Sequence, residues 1–232
     1  MKKMIFITGT DTHVGKTYIT RQLLDYYRQQ GLRTLGVKPI ASGCEWQHGT
    51  LINEDALALS QASSINISYS LTNPFAFEQP VAPHIAAKLA NITLNSTLLN
   101  DYFAKINQID FDICLIEGAG GWLLPLNDHE TFADVISALH IDIILVVSMK
   151  LGCLNHALLT ETAIKSRGGK LAGWIANCVD PQMKYLNENI ETLKEMLRAP
   201  MLGVAEFGGF LRLRNEQICE QHPRIRRQKT PS

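Results

Sequence analysis

Apolar residues follow two rhythms along this chain, short unbroken runs and helical stripes, and the two alternate from one end to the other. The run Met4-Ile5-Phe6-Ile7 is apolar at every position and closes on a Thr-Gly turn, the pattern of a strand buried on both faces. Residues 18–30 then place Ile19, Leu23, Leu24 and Tyr27 at helical spacing, with Gly31 as the stop. Residues 33–37 read as a second strand ending at Lys38-Pro39. Strand, loop, helix and strand in that order form the unit whose crossover is right-handed and whose sheet is parallel.

The pattern fades between residues 41 and 72, which are polar apart from a short helix-like stretch at 55–59 that opens on Asp55. Asn73-Pro74 and the prolines between 80 and 83 punctuate this part, and Pro83 is placed to begin a helix over 84–90. It is expected to be an excursion from the sheet's edge. Regularity returns with strands over 112–116, 143–147, 171–178 and 201–204, and with helices over 132–139, capped by Thr131, 155–165 and 183–197. The fold expected is α/β: a doubly wound, mostly parallel sheet in a three-layer α/β/α arrangement.

Length and charge narrow the rest. At 232 residues one domain is favoured, here residues 1–211, followed by an arginine-rich tail over 212–232 with little apolar content, expected to be poorly ordered. The 22 Lys and Arg balance the 22 Asp and Glu, so no overall field draws the chain to nucleic acid or to an anionic membrane. A small-molecule partner is expected. Five scattered cysteines, odd in number and without a CxxC pair, fit neither a zinc site nor a disulfide framework and suggest a reducing cytoplasm. The start of the chain lacks the long apolar core of a signal peptide, and no run of about 18 apolar residues is present to span a bilayer.

Chemistry concentrates where the predicted strands end, because ligands of an open α/β sheet lie beyond the carboxyl ends of its strands. The first strand runs into Gly9-Thr10-Asp11-Thr12-His13-Val14-Gly15-Lys16-Thr17, a phosphate-binding loop in the strand-to-helix setting that such a loop requires. Small residues let its backbone N–H groups converge on an anion. Lys16 then reaches the β- and γ-phosphates, and the Thr17 hydroxyl is placed for Mg²⁺. Five residues separate Gly9 from Gly15, so the usual spacing is met by counting from Thr10. An ordinary turn carrying a surface lysine is the plainer alternative. The second strand ends in Lys38-Pro39-Ile40-Ala41-Ser42-Gly43, and the strand at 112–116 ends in Glu117-Gly118-Ala119-Gly120-Gly121. These add an ammonium, a hydroxyl and a carboxylate to the same rim. Glu117 sits where many phosphate-loop enzymes hold their acidic Mg²⁺ ligand, and Asp55 is a second candidate carboxylate that could equally be a helix N-terminal acid. For Lys38 the plainer reading is a salt-bridged surface lysine.

The ordered set Gly-Thr-Asp-Thr-x-Val-Gly-Lys-Thr, Lys-Pro-Ile-Ala-Ser-Gly, Glu-Gly-Ala-Gly-Gly-Trp and Lys-Leu-Gly-Cys-Leu-Asn-His resembles the dethiobiotin synthetase family over residues 4–204, with Asn73-Pro74 and Pro83-His84 like its middle segment. The resemblance implies an ATP- and Mg²⁺-dependent ligase of biotin biosynthesis. 7,8-Diaminononanoate takes up CO₂ or bicarbonate as a carbamate, the γ-phosphoryl group passes to that carbamate, and the second amine closes the ureido ring with release of phosphate. It assigns Lys16, Lys38 and Thr12 to catalysis. Thr17, Asp55 and Glu117 go to the metal, and His13, Val14, Gly15, Lys16, Thr17, Glu117, Gly120, Asn177 and Gly203 to the nucleotide. Ser42 and Lys38 are assigned to the substrate, as are Gly152, Cys153, Leu154 and Asn155 at a homodimer interface. Among these, Asn177 is the expected adenine reader and Cys153 is expected to act through its backbone. The family's loop carries Glu where this chain has His13, and a proline-aromatic segment where it has Gly203-Val204-Ala205-Glu206-Phe207. A switch ATPase of the partitioning or metal-insertion type is the alternative, and a small-alcohol kinase a third reading. Against the switch, Thr10-Asp11 stands where such proteins often place an early second lysine.

Overall fold

The computed structural model describes residues 2–214, and the elements fall where the two rhythms change. In chain order they are β1 (Lys3–Gly9), α1 (Lys16–Gln29), β2 (Thr34–Val37), β3 (Ile40–Ala41), β4 (Glu45–Gln47), β5 (Thr50–Ile52), α2 (Glu54–Ala62), α3 (Tyr69–Thr72), β6 (Phe75–Ala76), α4 (Pro83–Leu89), α5 (Ser96–Gln108), β7 (Ile113–Glu117), α6 (Phe132–Ala138), β8 (Asp142–Ser148), α7 (Cys153–Ser166), β9 (Lys170–Asn177), α8 (Leu186–Met196), β10 (Met201–Ala205) and β11 (Leu211–Leu213). The main sheet runs β11-β10-β9-β8-β1-β7-β2. All its pairs are parallel except β10 with β11.

Period-two alternation divides each central strand between two cores. Ile5 and Ile7 of β1 join Ile113 and Leu115 of β7 and pack on Ile19, Leu23, Leu24 and Tyr27 of α1. Phe6, Cys114 and Ile116 point the other way, onto Leu99, Phe103 and Ile106 of α5 and Phe132 of α6. Phe6 lies 5.1 Å from the Phe132 ring in an edge-on contact. A third cluster gathers Leu145, Val147 and Trp174 of β8 and β9 with Ala157 of α7 and Leu193 of α8. The sheet is thus covered on both faces, which is why its strands read as unbroken apolar runs.

The excursion is more ordered than its sequence pattern predicts. β3 pairs parallel with β6, and β4 and β5 form a hairpin turned by His48 and Gly49, both with positive φ. Asn53 caps α2 by accepting from the Ala56 N–H at 3.2 Å. Leu59 of α2 is fully buried in the same core as α1, and Gly36 of β2 admits it: a Cβ there would stand 3.2 Å from Leu59 Cβ and 2.7 Å from Leu24 Cδ1. Helix α2 is therefore drawn back onto the sheet, carrying Asp55 in its first turn toward the strand ends.

Two elements depart furthest from the sequence expectation. Helix α5 was not anticipated, and Arg212 and Leu213, which composition alone assigns to the tail, are strand residues in β11. Their ladder with Gly203 and Val204 satisfies backbone groups that a loose tail would leave to water. The expected disorder of the tail otherwise falls on residues 215–232, outside the described residues. Among the described residues no helix is long and apolar enough to cross a membrane.

Candidate active site

One cavity of about 540 Å³ lies at the carboxyl ends of β1, β2 and β7, lined by residues of the loop after β1, of α1, of the Lys38 segment, of α2 and of the Glu117 turn. Thr12, His13, Gly15, Lys16, Thr17, Lys38, Ser42, Asp55, Glu117 and Gly120 all line it. Ten residues spread over more than a hundred positions in sequence meet there because three parallel strands end on the same edge.

The loop between β1 and α1 is shaped for an anion. Gly15 caps α1 with φ +86°, and no side chain caps the helix, so its first N–H groups face the cavity. A Cβ on Gly15 would stand 2.1 Å from Asn177 Nδ2, so only glycine fits between loop and strand end. Asn177 in turn donates to the Val14 carbonyl at 2.8 Å and pins the loop from behind. Val14 is itself fully buried in the core and offers the cavity no side chain. His13 stands at φ 57°, a left-handed conformation that a side chain rarely adopts. Lys16 lies across the loop, its Nζ donating to the Asp11 carbonyl at 3.1 Å. Burial first, then the nearby ammonium of Lys38, push the Lys16 ammonium down to about 8.

Opposite the loop is a knot of charge. Lys38 Nζ donates to Glu117 Oε1 at 2.6 Å and to Asp55 Oδ2 at 2.7 Å, and Thr17 Oγ1 donates to the same Glu117 oxygen at 2.9 Å. Burial pulls the Lys38 ammonium down, but the charges of Glu117 and Asp55 outweigh it and hold Lys38 above its ordinary value. Burial also works against the Asp55 carboxylate, and the charge of Lys38 overcomes it and lowers that carboxyl. Glu117 Oε2 is buried without a hydrogen-bond partner. Such an oxygen is costly unless a donor or cation meets it.

Second-layer contacts that sequence patterning missed hold this knot in place. Asn73 Nδ2 donates to the Lys38 carbonyl at 2.7 Å, and the Lys38 N–H donates to the Thr72 carbonyl at 2.9 Å. Tyr69 reaches the Asn53 N–H at 2.8 Å and Asn73 Oδ1 at 3.3 Å. The only sequence signal for this layer was the Asn73-Pro74 pair. Asn53 and Tyr18, neither singled out beforehand, also line the cavity.

Other expected residues do not line the cavity. Gly203 is an inner residue of the sheet between Ile175 and Leu213, where a Cβ would meet the Arg212 carbonyl oxygen at 2.7 Å. Gly152, Cys153, Leu154 and Asn155 open α7, with Gly152 capping it at φ 92° and no side-chain cap. The Cys153 side chain is buried, and that burial raises its thiol. Its backbone N–H donates to the Lys150 carbonyl at 3.0 Å. Among the described residues no group of three or more His, Cys, Asp or Glu is arranged to hold a metal ion by itself.

Comparison with known proteins agrees with the geometry. The AAA domain family matches residues 3–207. The ATP-dependent dethiobiotin synthetase BioD of Pseudoalteromonas translucida is 41% identical over 98% of this chain and 96% of its own length. Proteins of the same name from Cellvibrio japonicus and Legionella pneumophila are 47% and 42% identical, covering 88% and 89% of this chain and 89% and 95% of theirs. Among solved structures, the septum site-determining protein MinD from Pyrococcus horikoshii, complexed with Mg-ADP, superposes with a TM-score of 0.56 at 16% identity over 89% of this chain and 82% of that one. The cell division protein FtsY of Thermotoga maritima does so with 0.53 at 14% over 92% and 65%. These two establish the P-loop NTPase fold.

Proposed function

We propose a reaction for this cavity from one premise: the chain belongs to the ATP-dependent dethiobiotin synthetase family and is an ATP-dependent ligase of biotin biosynthesis. The switch-ATPase alternative gives way, because the MinD and FtsY structures share only 14–16% of residues and carry the fold alone. In our reading, an amine of 7,8-diaminononanoate adds to CO₂, loses a proton and becomes a carbamate. One carbamate oxygen then attacks the γ-phosphorus of ATP, and the bond to the bridging oxygen breaks to leave ADP. The second amine attacks the carbon of the resulting carbamic-phosphoric anhydride, phosphate departs, and the ureido ring closes.

The observation that carries this reading is the pair of buried lysines on one cavity. A carbamate and a triphosphate repel each other, and two preorganised ammonium groups placed where their charges meet lower that cost in the transition state. Lys16 and the N–H groups at the start of α1 hold the phosphates, with Thr12, His13 and Gly120 around the transferring group. Ser42 faces the acceptor, and Lys38, paired with Asp55 and Glu117, lies on the same side of the cavity. Holding both partners in line is worth up to about 7–11 kcal/mol.

Thr17, Asp55 and Glu117 fit Mg²⁺. They offer one hydroxyl and two carboxylates, all oxygen donors, and the orphaned Glu117 Oε2 faces no other donor. A site with so few protein ligands leaves the remaining positions to phosphate oxygens and water, the usual arrangement for Mg²⁺ at a triphosphate. When bound, the ion neutralises charge on the β- and γ-phosphates. We further propose that Asn177 reads the adenine edge, with its carbonyl oxygen and second N–H beyond the bond to Val14. At Gly203 the missing side chain lets β10 and β11 close, and any contact with the nucleotide is through its backbone. The N–H groups of Gly152, Leu154 and Asn155, beside the Cys153 N–H that is held by the Lys150 carbonyl, receive the distal carboxylate of the diamine from a second copy of the chain in a homodimer. The buried, free cysteines at 44, 114, 153 and 178 accord with a reducing cytoplasm.

Phosphate release from ATP is expected to require both the diamine and bicarbonate. Release that ignores either one, in folded protein, contradicts the proposed reaction.

A further inference from the structure

Lys38 holds the place of a cation. Its ammonium touches Asp55 at 2.7 Å and Glu117 at 2.6 Å while its side chain is 7% exposed. The Thr17 hydroxyl donates to the very Glu117 oxygen that Lys38 uses. The three groups read above as metal ligands therefore already enclose one positive charge, and the second oxygen of Glu117 remains buried and unpartnered beside it. A lysine side chain is a long flexible stem with a point charge at its end, able to swing while its backbone stays fixed. Here the backbone is fixed, by Thr72 and Asn73, and the stem opens onto the same cavity as Ser42 and Lys16.

We propose that the Lys38 ammonium and a divalent cation occupy the Thr17, Asp55 and Glu117 cradle alternately, so that metal loading expels the ammonium into the cavity, toward the acceptor. The proposal rests on the metal-ligand reading of those three residues. Two cations cannot share one carboxylate oxygen at contact distance without strong repulsion, whereas a dication satisfies both carboxylates better than an ammonium does. The consequence is an order of events. Without metal the lysine neutralises the cradle and keeps two partly desolvated carboxylates from repelling each other. With metal in place the same charge becomes available for an anionic acceptor. Lys38 is thus delivered by the cation that activates the nucleotide, and a metal-free site keeps its lysine away from the acceptor.

The test measures metal and lysine directly on the nucleotide-free full chain. Free Mn²⁺ is followed by its paramagnetic resonance signal during titration of the wild type, of Lys38→Met, and of Lys38→Met combined with Asp55→Asn. Lys38→Met is expected to bind Mn²⁺ about tenfold or more tighter than the wild type, because the competing charge is gone. Adding Asp55→Asn is expected to take that gain away. In parallel, acetic anhydride labelling of wild-type Lys38, quantified by peptide mass spectrometry, is expected to be slow without metal and several-fold faster with Mn²⁺. Equal Mn²⁺ affinity in wild type and Lys38→Met, or labelling of Lys38 that Mn²⁺ leaves unchanged, overturns the exchange. Tight binding indifferent to Asp55 overturns the ligand reading instead. A thermal melt with and without Mn²⁺ shows whether Lys38→Met folds, and a melting point that Mn²⁺ raises more in the variant than in the wild type supports the exchange.

Discussion

At the scale of single residues, the proposed reaction divides binding and chemistry between the two lysines. Lys16 lies on the phosphate loop, and Lys38 lies across the cavity on the carboxylates. Lys38→Ala is expected to cut turnover about 10²–10³-fold, the usual cost of one preorganised charge in a transition state, and to leave the dissociation constant of a non-hydrolysable ATP analogue, measured at saturating Mg²⁺, within about threefold. Steady-state kinetics beside analogue titration checks it, and strong residual turnover removes Lys38 from the mechanism. Lys16 makes a pH prediction with two opposite signs. Its ammonium titrates near 8 in the folded protein, against 10.5 for a free lysine. Between those values the unfolded chain holds a proton that the fold has released, so this group makes the free protein more stable as pH rises through that window. Nucleotide binding needs the charged form. Analogue affinity is therefore expected to fall toward tenfold per pH unit above about 8, the limiting slope for loss of one required proton. A flat affinity profile from pH 7 to 9.5 contradicts the assignment of Lys16 to the phosphates.

At the scale of elements, what could be read beforehand depended on whether one element carried its own signal. The phosphate loop did, because β1, the glycines and the Gly-Lys-Thr ending are contiguous. The central strands did too, since burial on both faces makes them unbroken apolar runs. Helix α5 carries its own signal: Leu99, Tyr102, Phe103 and Ile106 stand at helical spacing behind an Asn95 cap that accepts from the Leu98 N–H at 2.9 Å. The hairpin β4–β5 and strand β11 were harder. Their residues are exposed or half-buried, so no apolar rhythm marks them, and β11 is held by pairing with β10 and not by its composition. Asp55 reads from the sequence as a helix N-terminal acid or a metal ligand; it stands in the first turn of α2, paired with Lys38. Two elements give sharp tests. Gly15→Ala must adopt positive φ and displace Asn177, strain of about 1–3 kcal/mol. It is expected to weaken analogue binding about tenfold or more, as seen by calorimetry. Glu161 of α7 is buried and accepts from the Arg198 N–H at 3.0 Å and the Ala199 N–H at 3.1 Å, tying α7 to the turn between α8 and β10. Removing it strands two backbone donors, so Glu161→Ala is expected to cost about 2–3 kcal/mol in a urea unfolding curve, and Glu161→Gln less.

At the scale of the whole molecule, the proposed reaction brings ATP and the carbamate together in the cavity but leaves one end of the diamine unaccounted for within a single chain. The substrate carries a carboxylate at the far end of an aliphatic stem. Among the described residues, the uncapped helix start after Gly152 is the anion-receiving segment that the family resemblance assigns to that carboxylate, and it does not line the cavity of its own chain. The residue just before it, Leu151, is 98% exposed. The proposed homodimer would give this leucine a covering surface. If a second copy covers Leu151 and thereby brings Gly152 to Asn155 over the neighbouring cavity, then Leu151→Asp separates the copies without touching the phosphate loop. Sedimentation is expected to show a monomer at micromolar concentration. The KM for the diamine is expected to rise about tenfold or more, corresponding to about 1.4 kcal/mol or more of lost binding, while the analogue affinity of each chain stays unchanged. A variant that sediments like the wild type places the interface elsewhere. A monomer with an unaltered diamine KM shows instead that one chain binds the whole substrate, and the helix start at Gly152 then loses its proposed role.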